Sequence, residues 1–202
     1  GPQKLWPGTT PPRGRPGARE PPSDHNRRFL ERLLEEDLLV RRINVRQVMA
    51  FEGTEMAETG ADLAREHRRE FKRYKRTVRE EIDRPMLERL APPGTVLPGV
   101  RLEYHEDGRT FGRQPGTYPL LVGLPGERPL GTSLDVAIVD HGFRSVTGVP
   151  YPLDLNAASM AELRAIPGIG RDRAGDLVVG RPHPSVAAAA ARVDGVALER
   201  FA

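Results

Sequence analysis

The sequence predicts an α+β chain assembled from several small modules, and three observations lead there. Its 202 residues include 20 prolines and 21 glycines, which interrupt the chain too often for one large core. Hydrophobic spacing is helical at first and changes after residue 93 to short strands separated by turn residues. From residue 151 it returns to short helical segments around a Pro-Gly-Ile-Gly turn. The expected order is a Pro/Gly-rich segment 1–22, a helix–strand unit 23–56, an amphipathic basic connecting helix 57–93, a small antiparallel β-barrel 94–150 and an all-α domain 151–202.

Composition narrows the function classes. No apolar run is long enough to cross a bilayer and nothing at the N-terminus has the charged and apolar blocks of a secretory signal, so a soluble, cytoplasmic protein without a membrane partner is expected. There is no cysteine, hence no disulfide, thiolate zinc site or cysteine-held iron–sulfur cluster. Gly1-Pro2 in place of a methionine is what a cleaved product or a fragment of a longer protein looks like. In residues 1–22 half the positions are proline or glycine, which predicts a segment that is disordered or a linker.

Charge is unevenly spread: +3 over residues 1–22, −3 over 23–62, +4 over 63–84 and near zero thereafter. A polyanion would be drawn first to the third of these.

Residues 26–37 space Phe29, Leu30, Leu33 and Leu34 as one helical face, with Ser23 or Asp24 as a cap. Residues 40–51 are rich in β-branched side chains and predict a strand, with Ile43, Val45 and Gln47 on one face and Arg42, Asn44, Arg46 and Val48 on the other. Arg42, Asn44 and Arg46 either line the interior of an active-site barrel or sit on a solvated edge. This unit is too short to bury both faces of a strand by itself.

Leu63, His67, Phe71, Tyr74, Val78 and Ile82 recur at three- and four-residue steps, predicting one long helix that Pro85 terminates. Its other face carries Arg65, Arg68, Arg69, Lys72, Arg73, Lys75, Arg76 and Arg79. Such a stripe can follow a phosphate backbone, with Lys72, Lys75 and Arg76 as the leading contacts. Interspersed glutamates are also compatible with a merely solvated face.

Strands are expected at 96–104, 134–139 and 143–149, with Asp107-Gly108 as a hairpin turn and His141 in another turn. Barrels of this size bind nucleic acid or serve as structural caps.

In the last domain Leu155-Asn156 is expected to cap a helix over 157–165. Ile166-Pro167-Gly168-Ile169-Gly170 makes the turn, and a second helix covers 171–179. This is helix-hairpin-helix spacing. The glycines keep side chains away, so amides around Pro167, Gly168, Ile169 and Gly170 can face a phosphate oxygen, with Arg171 and Arg173 adding charge. Val193-Asp194-Gly195-Val196 reads as a degraded second copy, where Asp194 repels phosphate.

The stretches LVRRINVRQVM (39–49), RLEYHEDGRTFGRQPGTYPLLVG (101–123) and VDHGFRSVTGVPYPLDLN (139–156) resemble archaeal radical SAM proteins of the methylthiotransferase-like kind, over roughly residues 26–202. The resemblance implies the terminal helix–strand of a radical SAM barrel at 23–56, a TRAM-like (OB-like) barrel at 94–150, associated in that family with RNA binding, and a helix-hairpin-helix domain after it. Glu52 stands where the related motif has proline before Gly53-Thr54. The family's three-cysteine motif would lie upstream, in an N-terminal radical SAM region missing here. The 4Fe-4S cluster and S-adenosylmethionine are therefore expected only in the parent protein, with no cofactor, metal site or catalytic residue in this fragment. Two readings remain open: the nucleic-acid-binding end of a radical SAM enzyme acting on RNA, DNA or an associated substrate, and a stand-alone, non-catalytic DNA-binding helix-hairpin-helix protein.

Overall fold

In a computed structural model, residues 22–202 are described apart from 39, 41, 42, 48–50, 55, 56, 58 and 59. The expected disordered segment and Arg42 thus lie outside the described residues, Pro22 excepted. The chain divides into two compact units, Gly1–Asp83 and Arg84–Ala202.

In the first unit, α1 spans Pro22–Glu35. Pro22 opens the helix, where its missing N–H costs nothing, so Ser23 and Asp24 lie inside the first turn rather than capping it. Leu30, Leu33 and Leu34 are half-buried, but Phe29 is 50% exposed.

The predicted strand is absent over residues 43–47, which carry no regular structure. The alternation survives: Ile43, Val45 and Gln47 are half-buried while Asn44 and Arg46 are exposed. What is missing is a ladder. The Ile43 amide donates weakly to the Asp83 carboxylate at 3.4 Å, and the Gln47 side chain donates to the Ala64 carbonyl at 2.7 Å. Among the described residues no strand pairs with this segment, so it has no sheet to join. Asn44 and Arg46 are exposed in this chain.

The single long helix is also broken up. It comprises α2 Gly60–Glu66, α3 Arg68–Thr77 and a π-helical segment Val78–Asp83. The break falls at His67, whose backbone (φ −93, ψ 10) leaves the helical region. Phe71 and Tyr74 are half-buried, Val78 and Ile82 fully buried. Pro85 does not end a helix. It is the second residue of α4, Arg84–Leu90, in the second unit, where a first-turn proline is tolerated.

The second unit is built on a closed barrel of β1 Val96–Glu106, β2 Arg109–Arg113, β3 Leu121–Pro125, β4 Ser133–His141 and β5 Ser145–Pro150, in the order β1-β2-β3-β5-β4. Asp107 and Gly108, both at positive φ (49 and 68), make the two-residue turn of the β1–β2 hairpin. The barrel is not wholly antiparallel, because β3 pairs with β5 in parallel. Closure leaves little interior room: a Cβ on Gly148 would lie 2.2 Å from Val136, and one on Gly112 2.4 Å from the Arg101 carbonyl. Val100, Leu102, Val122, Leu124, Val136, Ile138 and Val146 fill the interior. Buried Thr110 is satisfied on both sides, donating to the Gly126 carbonyl and accepting from the Arg128 amide.

Four helical pieces follow: α5 Met160–Ala165, α6 Arg171–Val179, α7 Val186–Ala190 and a 3-10 turn Leu198–Arg200. Expected as a module separate from the barrel, they share a core with its outer face. Ala137, Val139 and Val149 pack with Leu163, Ile166, Ile169, Leu177, Val193, Leu198 and Phe201. No helix among the described residues is long and apolar enough to cross a membrane.

Candidate nucleic-acid interface

The turn between α5 and α6 starts from a well-anchored first helix. Ser159, not Asn156, is its N-cap: the Ser159 hydroxyl accepts from the Glu162 amide, while the Glu162 carboxylate accepts from the Ser159 amide. Asn156 has a different task. Its side chain donates to the His183 carbonyl at 3.1 Å and accepts from the His183 amide at 2.7 Å, tying the entry of α5 to the exit of α6. Arg181 adds donations to the Leu155 and Ala158 carbonyls.

Ile166 ends α5, and Ile169 donates back to its carbonyl at 3.0 Å. Both isoleucines are buried, whereas Pro167, Gly168 and Gly170 are exposed. Gly168 sits at φ +86, in the left-handed region that favours glycine, and a Cβ there would come 3.1 Å from Val196. Gly170 is different: its φ of −80 is open to any residue and nothing lies within 4 Å of its missing Cβ. It is the N-cap of α6 and supplies no side-chain cap, so the first-turn amides lack intrahelical partners and open to solvent.

Arg171 is exposed, with no side-chain partner among the described residues. Arg173 is exposed too, but its guanidinium donates to the Gly168 carbonyl at 2.9 Å and holds the turn. Opposing charge is also near, with Asp172 in the first turn of α6. Asp140 of β4 lies beside the turn in an open cleft of about 500 Å³ lined by Val139, Arg164 and the turn residues.

The second copy repeats the local geometry. Gly195 has φ +78, and Val196 donates to the Val193 carbonyl at 3.2 Å, as Ile169 does to Ile166. A 3-10 turn stands where α6 would begin, so no row of helix amides follows it.

In the first unit, α3 presents Arg68, Arg69, Lys72, Arg73 and Arg76 as exposed cations, with Lys75 half-buried. None has an ion pair within the described residues. Burial pushes the Tyr74 phenol above its ordinary range, so it stays neutral among them.

The chain has no cysteine, and no group of three or more histidine or acidic residues among those described can hold a metal ion. His105 binds the Arg128 carbonyl, and His141 is not a turn residue but is buried at the end of β4 against the Ala91 carbonyl.

Sequence reasoning missed one feature, an aromatic row on the outer wall of the barrel. Tyr104 and Phe111 stack with centroids 5.2 Å apart and planes at 12°, and the Arg109 guanidinium lies 5.7 Å from the Phe111 centroid. The β1 bulge between Leu102 and Tyr104 brings the two rings to one face, and bulges leave little trace in sequence.

No family model matches the chain. Two archaeal proteins are similar to it. An uncharacterized protein of Archaeoglobus fulgidus is 45% identical over 148 residues, which is 73% of this chain and 28% of that protein. An uncharacterized protein of Methanocaldococcus jannaschii is 40% identical over 146 residues, 71% of this chain and 27% of that protein. The chain therefore spans little more than a quarter of the length of the relatives it matches.

Proposed function

We propose that this chain is the nucleic-acid-binding, C-terminal part of a cytoplasmic radical SAM enzyme that acts on RNA, DNA or an associated substrate. In this reading residues 151–202 form a helix-hairpin-helix domain. The observation that carries the binding half is the turn 166–170: two buried isoleucines below, exposed Gly168 and Gly170 above, and an uncapped α6 whose first amides are open to a phosphate oxygen. Arg171 is free to add a charge-assisted contact. The cations of α3, without ion pairs among the described residues, provide a second surface for phosphates. The enzymatic half rests on the resemblance of the three quoted stretches. It assigns the cluster and S-adenosylmethionine to a part of the parent protein outside this sequence, and no step of the reaction is derived from these residues.

Such contacts read backbone rather than bases, so binding is tolerant of sequence and steeply dependent on salt. Fluorescence anisotropy with labelled RNA and DNA oligonucleotides between low and moderate salt is the test. Affinity that does not fall as salt rises refutes the phosphate reading.

A further inference from the structure

A recess of about 190 Å³ opens between α1 and α3 in the first unit. Ser23, Asp24 and Arg27 line it from α1, at the three- and four-residue spacing that shares one helical face. Glu70, Arg73, Tyr74 and Thr77 line it from α3 at the same spacing. Helices that pack together ordinarily meet on apolar stripes. Over these turns the facing side chains are polar, and the Tyr74 ring is the main apolar surface between them.

Most of these groups are left without partners. The hydroxyls of Ser23, Tyr74 and Thr77, the Asp24 carboxylate and the Arg73 guanidinium make no hydrogen bond or ion pair among the described residues. Arg27 and Glu70 are engaged, Arg27 with Glu31 at 3.4 Å and Glu81 at 3.9 Å, and Glu70 with His67 at 3.5 Å. Ser23, Tyr74 and Thr77 are half-buried, where an unmade hydrogen bond costs more than on an open surface. Burial raises the Tyr74 phenol above its ordinary range, so it keeps its proton and can donate.

The unpartnered groups define the ligand. A carboxylate and a guanidinium in one recess call for a cation and an anion on the same small molecule, and the three hydroxyls can serve either. Asp24 and Glu70 oppose a phosphate or a polyanion, and Arg27 and Arg73 oppose a simple amine. An apolar molecule has only one ring to lie on. The volume is below the roughly 300–1,000 Å³ of drug-sized pockets, so the ligand is a metabolite of few heavy atoms.

We propose that this recess binds a free α-amino acid, with its carboxylate on Arg73 and its ammonium on Asp24. The Ser23, Tyr74 and Thr77 hydroxyls complete the hydrogen bonds of both groups, and the space beside the Tyr74 ring takes a short side chain. The site needs neither the hairpin nor a nucleic-acid ligand, so it stands or falls apart from that reading.

The test is isothermal titration calorimetry on the full 202-residue chain. The probes are glycine, alanine, serine, threonine and asparagine, with acetate, methylamine, inorganic phosphate and glycerol as controls. At least one amino acid should bind with a dissociation constant of about 0.1–1 mM, and every control should bind about tenfold more weakly or not at all. Asp24→Asn and Arg73→Gln should each weaken the amino acid about tenfold, and Tyr74→Phe severalfold. Asp24 and Arg73 are exposed, so circular dichroism should show the fold retained in both variants. Lys72→Glu, also on α3 but outside the recess, should bind the amino acid as the parent does. Failure of all five amino acids to bind overturns the inference. Parental affinity in both Asp24→Asn and Arg73→Gln overturns it too, as does a control that binds as tightly as the best amino acid.

Discussion

Glu162 joins the barrel to the hairpin by dividing its carboxylate. One oxygen accepts from the Arg128 guanidinium, 34 residues earlier in the loop after β3, and the other accepts from the Ser159 amide and hydroxyl at the cap of α5. The Glu162 side chain is only 8% exposed and that of Arg128 30%, so this pair is better shielded from solvent than a surface pair.

Glu162→Ala should therefore remove a cap and leave a shielded guanidinium without its partner. The expected loss is about 2–3 kcal/mol, read as a lower urea midpoint. Glu162→Gln, which keeps the cap but not the charge, should lose less. Equal losses would mean that the cap contributes nothing beyond the pairing with Arg128, and no loss in Glu162→Gln would mean that Arg128 contributes nothing.

Gly168 and Gly170 separate stability from binding. Gly168→Val places a branched side chain at φ +86 and against Val196, and should cost about 1–3 kcal/mol as well as affinity. Gly170→Ala meets no protein atom within 4 Å, so the fold should be retained by circular dichroism while oligonucleotide affinity falls several-fold. Undiminished affinity in Gly170→Ala would leave the turn a packing element.

Asn156→Ala breaks both bonds to the His183 backbone. A loss of about 1–2 kcal/mol is expected, because an amide and a carbonyl are left unpaired together. Amide hydrogen exchange should rise at His183 with little change in the barrel.

Charge reversal on α3, Lys72→Glu with Lys75→Glu, should weaken nucleic-acid binding uniformly across sequences and reduce the salt slope by about two. Neither side chain has an ion-pair partner among the described residues, so melting should move little. Arg76→Glu is expected to act in the same direction. A slope identical to the parent's would show that the stripe is only solvated.

Anaerobic reconstitution with iron and sulfide should leave the chain without a stoichiometric cluster, since it has no thiolate to hold one. Iron and acid-labile sulfide analysis decides this, and uptake of one cluster per chain contradicts it.

Several features were legible locally because short-range chemistry dictates them. Asp107-Gly108 needs positive φ at two successive positions, which selects a hairpin wherever it falls between strands. Pro167-Gly168-Ile169-Gly170 specifies a turn with apolar residues below and bare backbone above, and the structure keeps that division of exposure. The helix 171–179 and the basic face of 68–76 follow from composition and periodicity in the same way.

Tertiary contacts decided what no local pattern encodes. Residues 43–47 alternate like a strand yet are not one, because a strand exists only beside a partner. The helical periodicity of residues 60–83 is uninterrupted in sequence, but His67 and a π-helical segment divide it. Asn156 looks like a cap and instead holds the His183 backbone, and Arg173 also donates to the Gly168 carbonyl. The parallel β3–β5 pair arises from barrel closure. Closure joins residues far apart in the chain, at a register set by packing rather than by neighbouring residues.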